Sequence, residues 1–130
     1  MRYGDPEGGT YLVAPGGGVR ERESVADAAV RETLEETGVR VAPGPVLLIE
    51  DLLTARFKMC KVWIGCDVVE GDVSATEGAR EEGILEARWV RRVELESETV
   101  YPWIVTERAW SSLRDRGYAA EISPPRQARF

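Results

Sequence analysis

Residues 25–37 form the segment whose fold the sequence constrains most, because helix-ending signals stand on both sides of it. Ser24 is a favourable N-cap, and Asp27 three residues later completes a variant of the capping box. Gly38 is placed to end the helix in a left-handed conformation, which glycine adopts without steric penalty. The sequence therefore predicts one helix over residues 25–37 with both ends defined.

The last turn of this helix carries glutamates on one face. At about 100° per residue, Glu32 and Glu36 share a side, and Glu35 lies about 60° from Glu32. A solvated acidic face is the ordinary interpretation of such a run. Here Glu32 and Glu36 repel each other by about 0.2–0.5 kcal/mol, and the helix dipole disfavours anions at this end. Arg31 is the one cation within helical reach, through Glu35. A divalent cation would offset the repulsion, and such oxygen ligands favour Mg²⁺ or Mn²⁺.

The overall charge argues against one class of function. The chain has 130 residues and a formal net charge of −6, whereas proteins that bind nucleic-acid backbones use an excess of Lys and Arg. We therefore expect no nucleic-acid duplex as a partner. An acidic chain can still bind a small nucleotide through local arginines or through metal ions held by its carboxylates.

No segment predicts a membrane span or a secretion signal. The apolar runs fall short of the roughly 20 residues that cross a bilayer, and the N-terminus lacks a signal-peptide pattern. Cys60 and Cys66 lie too far apart on one predicted strand for a disulfide, which is typical of buried thiols in a reducing compartment. We expect a cytoplasmic protein with no membrane partner.

Residues 17–39 resemble the Nudix box. The chain reads Gly17, five residues, Glu23, seven residues, and then the run R-E-T-L-E-E-T-G-V from Arg31 to Val39. The box pattern is G-x5-E-x7-R-E-U-x-E-E-x-G-U, in which U is a bulky aliphatic residue. Every fixed polar and glycine position matches, and Thr33 departs at one U position, which is not a ligand position. Weaker resemblance extends over most of residues 10–90.

This resemblance implies an α/β (α+β) fold, namely a Nudix-type α/β/α sandwich with a mixed β-sheet, in which the box forms loop, helix and loop. It implies metal ligands at the main-chain carbonyl of Gly16 and the carboxylates of the box helix, Glu32, Glu35 and Glu36. It also implies structural support of the box by a second set of residues, Gly17, Glu23, Arg31 and Gly38.

The catalytic proton acceptor is not fixed by the pattern. Glu32 and Glu35 are candidates, and in the family an acidic residue from a later loop often approaches the metals. We expect that residue to be Glu82, as a metal ligand or catalytic group, in preference to Glu81 or Glu86. Gly83 beside it allows a close turn, whereas Glu86 lies in a predicted strand. A role in keeping the surface loop solvated stays open for Glu82.

Basic residues are candidates to bind the substrate's phosphates: Arg20, Arg56, Lys58 and Lys61. Surface charge is an equal alternative for each. Lys61 shares its strand face with Met59 and Trp63, opposite the cysteines, and this makes a nucleotide-facing role available to it.

The resemblance implies a Mg²⁺-dependent hydrolase that cleaves the diphosphate linkage of a nucleoside diphosphate joined to another group. Mn²⁺ is an expected substitute. ADP-ribose or a nucleotide sugar, a modified nucleoside triphosphate and a dinucleoside polyphosphate all contain that linkage, and the sequence does not choose among them. The alternative function is a non-catalytic Nudix-like module that binds or senses a nucleotide; degraded carboxylates would favour it, and here they are intact.

Glycine, proline and the spacing of apolar residues predict the other strands and helices of the chain. Strands are expected over residues 10–14, 46–50, 57–68 and 85–90, and a helix between Pro102 and Gly117. One domain is expected over residues 1–122, with a mobile tail over residues 123–130. The family's first strands have no counterpart before Thr10, and the sheet edge left open in this way predicts a homodimer.

Overall fold

A computed structural model describes residues 1–5, 8–53, 58–113, 115 and 119–127. In this part of the chain the strands are β1 (Arg2–Gly4), β2 (Thr10–Val13), β3 (Arg40–Leu53), β4 (Lys58–Glu70), β5 (Ile84–Glu86), β6 (Val100–Tyr101) and β7 (Glu121–Gln127). The helices are α1 (Val25–Thr37), α2 (Glu77–Glu81), α3 (Ile104–Glu107) and α4 (Trp110–Leu113), with a 3-10 turn at Arg92–Leu95. None of these helices has the length and apolar character needed to span a membrane.

The strands form two mixed sheets. The first has the order β5-β1-β2-β6, in which β1 runs antiparallel to β2 and β5 while β2 runs parallel to β6. The second has the order β4-β3-β7, with β3 antiparallel to β4 and parallel to β7. Helices together with mixed sheets are the predicted α/β (α+β) class.

Helix α1 begins and ends where its flanking residues predict. The Ser24 hydroxyl accepts a hydrogen bond from Asp27 N at 3.1 Å, and the Asp27 carboxylate accepts one from Ser24 N at 3.3 Å. At the other end Gly38 has φ 73° and donates its N–H to Leu34 O at 3.0 Å. Both caps satisfy backbone groups that the helix itself leaves without partners.

The long hairpin of β3 and β4 has an inner and an outer face. Alternate residues of β3, Leu48, Glu50 and Leu52, are 0%, 3% and 5% exposed, and Leu48 packs with Ile104 and Leu113 in a hydrophobic cluster. Residues in register lie on the same face of a sheet. Glu50 pairs with Lys61 and Leu48 with Trp63, so the inner face of β4 is the one that carries Lys61 and Trp63.

The cysteines therefore lie on the outer face. The sequence predicts that Cys60 and Cys66 are buried, but both are exposed free thiols. The prediction is wrong because it assigned the inner face of β4 from apolar character alone. In the structure the register with β3 determines which face is inner, and that face carries Lys61 and Trp63 instead of the cysteines.

The N-terminal residues contain a strand that the sequence does not predict. β1 pairs with β2, and the Tyr3 and Tyr11 rings stack across the pair with centroids 5.6 Å apart. The expected absence of strands before Thr10 is therefore wrong for β1. The homodimer stays a prediction. An open edge at β2 is no longer an argument for it, because β1 pairs with that edge.

The predicted strand over residues 85–90 and the predicted helix after Pro102 are both shorter in the structure. β5 ends at Glu86. The helical segment divides into α3 and α4, with Arg108 in an extended conformation between them. Arg92 donates hydrogen bonds to Thr106 O at 2.9 Å and to Arg108 O. These carbonyls are among the acceptors that a continuous helix would use for its own N–H groups.

Residues 123–127, expected to belong to a mobile tail, lie in strand β7, while residues 128–130 lie outside the described part. β7 is an edge strand parallel to β3, and its register shifts between Glu50 and Leu52 of β3. Pro124 and Pro125 favoured the prediction of a mobile tail over this segment. Proline lacks an N–H donor, but edge strands accept it, because one side of such a strand is not paired.

Candidate active site

Glu36 is a buried carboxylate at the end of α1. It is 5% exposed and accepts hydrogen bonds from Gly16 N at 2.8 Å and from the Tyr3 hydroxyl at 3.4 Å. Burial raises the pKa of Glu36, the charges of Glu32 and Glu82 add to the rise, and the two hydrogen bonds oppose it. The fold thus places this carboxyl group where desolvation disfavours its charged form.

Arg31 connects the glutamates of the box. Its guanidinium pairs with Glu23 at 2.7 and 2.9 Å, with Glu32 at 2.6 Å and with Glu35 at 2.9 Å. It also donates to Gly18 O at 3.1 Å. The sequence predicts the Glu35 pair from helical spacing. The contacts with Glu23 and Gly18 depend on the loop before α1.

The Glu23 carboxylate is the most strongly held partner. Hydrogen bonds from Arg31, and a further one from Arg20 N at 2.9 Å, lower the pKa of Glu23 to about 2. The two side chains are little exposed, 14% for Glu23 and 17% for Arg31. This pair fixes the loop to the helix, which is the structural support that the family pattern implies for both residues.

Gly17 leaves the space that Glu32 occupies. A Cβ at position 17 would lie 2.5 Å from Glu32 Cδ and 2.8 Å from its Oε2. Gly17 has no positive φ, so close approach, and not backbone conformation, requires glycine here. The added Cβ would also crowd Oε1 of the same carboxylate, which Arg31 binds, so a side chain at position 17 would displace Glu32 from this position.

The segment after β4 attaches to the C-terminal end of α1. Ser74 N donates to Thr37 O at 3.0 Å, Thr76 N to Glu36 O at 3.2 Å, and the Thr76 hydroxyl to Glu35 O at 2.6 Å. These are the last carbonyls of the helix, which have no acceptor role within it. The attachment fixes the start of α2 beside the box carboxylates.

Thr76 also caps α2, because its hydroxyl accepts a hydrogen bond from Ala79 N at 3.2 Å. Glu82 follows at the C-cap of this short helix. A cavity of about 310 Å³ lies between α1 and α2 and is lined by Glu32, Glu35, Glu36, Thr76, Gly78, Ala79 and Glu82. Glu81 does not line it, and Glu86 lies in β5 within 3.5 Å of Arg2.

The predicted phosphate-binding residues separate in the structure. Arg20 Nη2 lies 3.3 Å from both Glu35 carboxylate oxygens, beside the cavity. Lys58 lies on the outer face of β4, where it pairs with Asp51 at 2.8 Å. The register places Lys58 on the face opposite Lys61, and this favours the surface-charge alternative for Lys58. Arg56 lies outside the described residues.

Lys61 lies on the inner face with Glu50 and Trp63. Its Nζ is 5.5 Å from the Trp63 ring centroid, and Trp63 Nε1 donates to Glu50 Oε2 at 2.5 Å. Burial lowers the pKa of Lys61, and the charges of Glu50 and Glu36 oppose that change. Both carboxylates thus act on one half-buried ammonium.

The donor chemistry of the cavity fits a hard divalent cation, since four of its lining residues offer carboxylate oxygens. Among the described residues, however, no three acidic side chains converge closely enough to hold an ion as they stand. Arg31 draws the carboxylates of Glu32 and Glu35 to itself, and Gly16 N–H binds that of Glu36. To bind a metal ion, the side chains of Glu32, Glu35 and Glu36 must therefore turn away from these hydrogen-bond partners.

Three residues around the site escaped the sequence analysis. Tyr3 lies in the unpredicted strand β1, and no local pattern indicates its contact with Glu36. Thr76 carries a usable signal, because a threonine before Glu77 is a typical N-cap. Glu50 carries another, since it is a charged residue alternating with Leu48 and Leu52 at buried strand positions.

The Gly17–Glu32 contact predicts a large effect of one added methyl group. Gly17→Ala should lower turnover of a hydrolysed nucleotide at least about tenfold by displacing the Glu32 carboxylate. Gly18→Ala is the matched control, because a Cβ there meets nothing within 4 Å. Circular dichroism would establish that both variants fold. Equal turnover in the two variants would contradict the steric role of Gly17.

The Glu23–Arg31 pair predicts pH-dependent stability. The folded-state pKa of Glu23, about 2, is below its ordinary value of 4.5, so the pair stabilises the fold above pH 4.5 and loses this effect as the pH falls toward 2. Urea denaturation should show that Glu23→Gln is less stable than the parent at pH 7, with a smaller difference at pH 3. Glu21→Gln, in the same loop, should differ little from the parent at either pH. A Glu23→Gln difference that is constant with pH would refute this assignment.

Comparisons with known proteins bear on the family and the fold of the chain. Residues 1–109 match the NUDIX domain family. No curated protein matches the chain. The chain is similar in fold to the crystal structure of a NUDIX hydrolase from Nitrosomonas europaea, with a TM-score of 0.59 and 18% identity. The match covers 85% of this chain and 61% of the other, so this chain spans about three fifths of that protein. The resemblance and the fold class predicted from the sequence are confirmed, and the chain belongs to the NUDIX domain family.

Proposed function

We propose that the chain is a Mg²⁺-dependent hydrolase that cleaves the diphosphate linkage of a nucleoside diphosphate joined to another group. The shared cavity carries this proposal, because the box carboxylates Glu32, Glu35 and Glu36 line it together with Glu82 from a separate element. Carboxylate oxygens of this kind bind Mg²⁺, with Mn²⁺ as a substitute. Gly16, whose N–H binds Glu36, brings its backbone to the same place and supports the proposed ligand role of its carbonyl.

Divalent ions held there would neutralise the phosphate oxygens that gain charge in the transition state. The chain's own residues supply the remaining parts. Glu32 or Glu35 accepts the proton of the attacking water, and Glu82 is the third candidate for this role. Arg31 keeps Glu32 and Glu35 beside the cavity, while Arg20 pairs with Glu35 there, and a substrate phosphate would compete with Glu35 for its guanidinium.

The alternative, a non-catalytic module that binds or senses a nucleotide, has less support. A binding module does not need four intact carboxylates around one cavity. Three substrate classes stay within the proposal: ADP-ribose or a nucleotide sugar, a modified nucleoside triphosphate, and a dinucleoside polyphosphate. A screen of these compounds with Mg²⁺, measuring released phosphate or AMP, separates hydrolysis from binding and the classes from one another.

The proposal extends to the partners of the protein and to its location in the cell. The net charge of −6 supports a small nucleotide as partner and no nucleic-acid duplex. A cytoplasmic location, the absence of a membrane partner and a homodimer are proposed with it. A nucleotide hydrolase acts where nucleotides are abundant, which agrees with that location.

Glu36→Gln tests the metal site. Turnover should fall by about two orders of magnitude or more, because the substitution removes a ligand charge. In metal-free buffer the variant should be at least as stable as the parent at neutral pH. The raised pKa of Glu36 means that its neutral form favours folding, so the carboxylate costs stability as the pH rises through its folded-state pKa. Turnover within about threefold of the parent at saturating Mg²⁺ would contradict the metal site.

Glu82→Gln tests whether the second element completes the site. Turnover should fall at least about tenfold, because Glu82 lines the cavity with the box carboxylates. Glu81→Gln, one residue away and outside the cavity, is the matched control and should retain the activity of the parent. If Glu82→Gln leaves both the rate and its pH profile unchanged while Glu86→Gln abolishes activity, the strand residue is the functional one.

A further inference from the structure

Tyr3 contacts the candidate metal site from strand β1, which lies outside the box. Its hydroxyl donates to Glu36 Oε1 at 3.4 Å, while Gly16 N donates to Oε2 of the same carboxylate at 2.8 Å. Glu36 is 5% exposed and lines the cavity between α1 and α2. Each oxygen of this buried carboxylate thus has a different donor, one from the sheet and one from the loop before α1.

The ring that carries this hydroxyl is held from several directions. β1 lies between β2 and β5, where Tyr3 is in register with Tyr11 on one side and with Ile84 on the other. The rings of Tyr3 and Tyr11 stack with an interplanar angle of 10°. Tyr3 also packs against the hydrophobic cluster formed by Ala75, Ala79, Ile84 and Ala87. These contacts restrict where the hydroxyl can lie, because packed side chains have few alternative positions.

The hydroxyl of Tyr3 is not needed for this packing, since phenylalanine provides the same ring. A hydroxyl taken from water costs free energy unless it finds a partner, and here the partner is the carboxylate of Glu36. Burial raises the pKa of Tyr3, and the charge of Glu36 raises it further. The phenol therefore keeps its proton at neutral pH and stays a donor. Its contribution to the protein lies in the contact with Glu36.

Metal binding changes the partners of Glu36. Gly16 N–H binds Oε2 in the present arrangement, and the side chain must turn away from it to bind an ion. A carboxylate oxygen has two lone pairs, so Oε1 can accept the Tyr3 hydrogen bond while the other oxygen changes its partner. Of the two donors to Glu36, Tyr3 is the one that belongs to the middle of a sheet.

We propose that Tyr3 is a positioning residue, whose hydroxyl retains Glu36 at the cavity while the carboxylate exchanges Gly16 N–H for a divalent cation. This inference rests on the hydrolase function proposed above and deepens it, because it assigns a residue of the sheet to the preparation of the metal site. Carboxylates that bind metal ions are themselves hydrogen-bonded, and loss of such a partner lowers metal affinity about 10- to 100-fold.

Tyr3→Phe tests the proposal, because it removes the hydroxyl and keeps the ring. Electron paramagnetic resonance of free Mn²⁺, without a nucleotide, gives the Kd of the ion. This Kd should rise about tenfold, since the ion must then order the Glu36 side chain unaided. Tyr11→Phe is the matched control. It removes the same atom from the stacked ring, whereas the contact with Glu36 belongs to Tyr3, and its Kd should stay within about twofold of that of the parent.

The effect of Tyr3 should pass through Glu36. Glu36→Gln by itself raises the Kd of Mn²⁺, and the addition of Tyr3→Phe to this variant should change the Kd by less than about twofold. An equal loss in both backgrounds would show a general structural effect and would overturn the positioning role.

Urea denaturation of the same four proteins in metal-free buffer at neutral pH measures the contact itself. Tyr3→Phe should destabilise the parent more than it destabilises Glu36→Gln, because a hydrogen bond to a charged acceptor is stronger than one to a neutral acceptor. Equal destabilisation in both backgrounds would contradict the contact on which the proposal depends.

Turnover gives a further readout, with a nucleotide that the screen shows to be hydrolysed. In Tyr3→Phe the Mg²⁺ concentration for half of the maximal rate should rise. The kcat at saturating Mg²⁺ should stay within about threefold of the parent, because the bound ion then orders Glu36. A lower kcat with an unchanged dependence on Mg²⁺ would contradict the proposal.

The outcomes separate this inference from the proposed function. If folded Tyr3→Phe binds Mn²⁺ as tightly as the parent, the role of Tyr3 is wrong while the metal site and the hydrolase function stand. If the parent itself binds no Mn²⁺, the metal-dependent function fails, and the role of Tyr3 fails with it. Should Tyr3→Phe not fold, Tyr3→Leu also lacks the hydroxyl and takes its place, with Tyr11→Leu as its control.

Discussion

The guanidinium of Arg31 is the contact on which the site depends. It binds Glu23 from the loop before α1 and Glu32 and Glu35 from α1 itself. Without a metal ion, Arg31 offsets the repulsion of the acidic turn together with Arg20, which also contacts Glu35, and Arg31 holds the loop against the helix. Its position inside the helix makes this possible, since residues three and four apart share a face. The same side chain therefore supports both the carboxylates of the site and the conformation of the loop.

The second organising interaction uses main-chain atoms. The last carbonyls of α1 accept hydrogen bonds from Ser74 and Thr76, and Thr76 in turn caps α2. A helix end that lacks internal partners thereby becomes the attachment point for the element that carries Glu82. The acidic cavity forms between two helices because the end of the first one determines the start of the second.

Local signals in the sequence predicted the part of the molecule that local chemistry determines. The ends of α1 follow from Ser24 and Gly38, and the cluster of box carboxylates follows from helical spacing. What the sequence did not predict depends on distant partners. β7 forms because β3 offers it an edge, and the inner face of β4 is chosen by register with β3. The helix after Pro102 is interrupted where Arg92 takes its carbonyls.

The attachment of residues 74–76 to α1 has a consequence for how such a site can change. Two of its three contacts join backbone to backbone, and the third joins a hydroxyl to a backbone carbonyl. Any sequence that forms the helix supplies those carbonyls. Apart from Thr76 and Glu82, the side chains from Ser74 to Gly83 can therefore be exchanged, and with them the shape of one cavity wall, while the box helix keeps its own contacts. One wall of the cavity can thus vary in shape independently of the helix that carries Glu32, Glu35 and Glu36, so that one arrangement of carboxylates can be combined with walls of different shape.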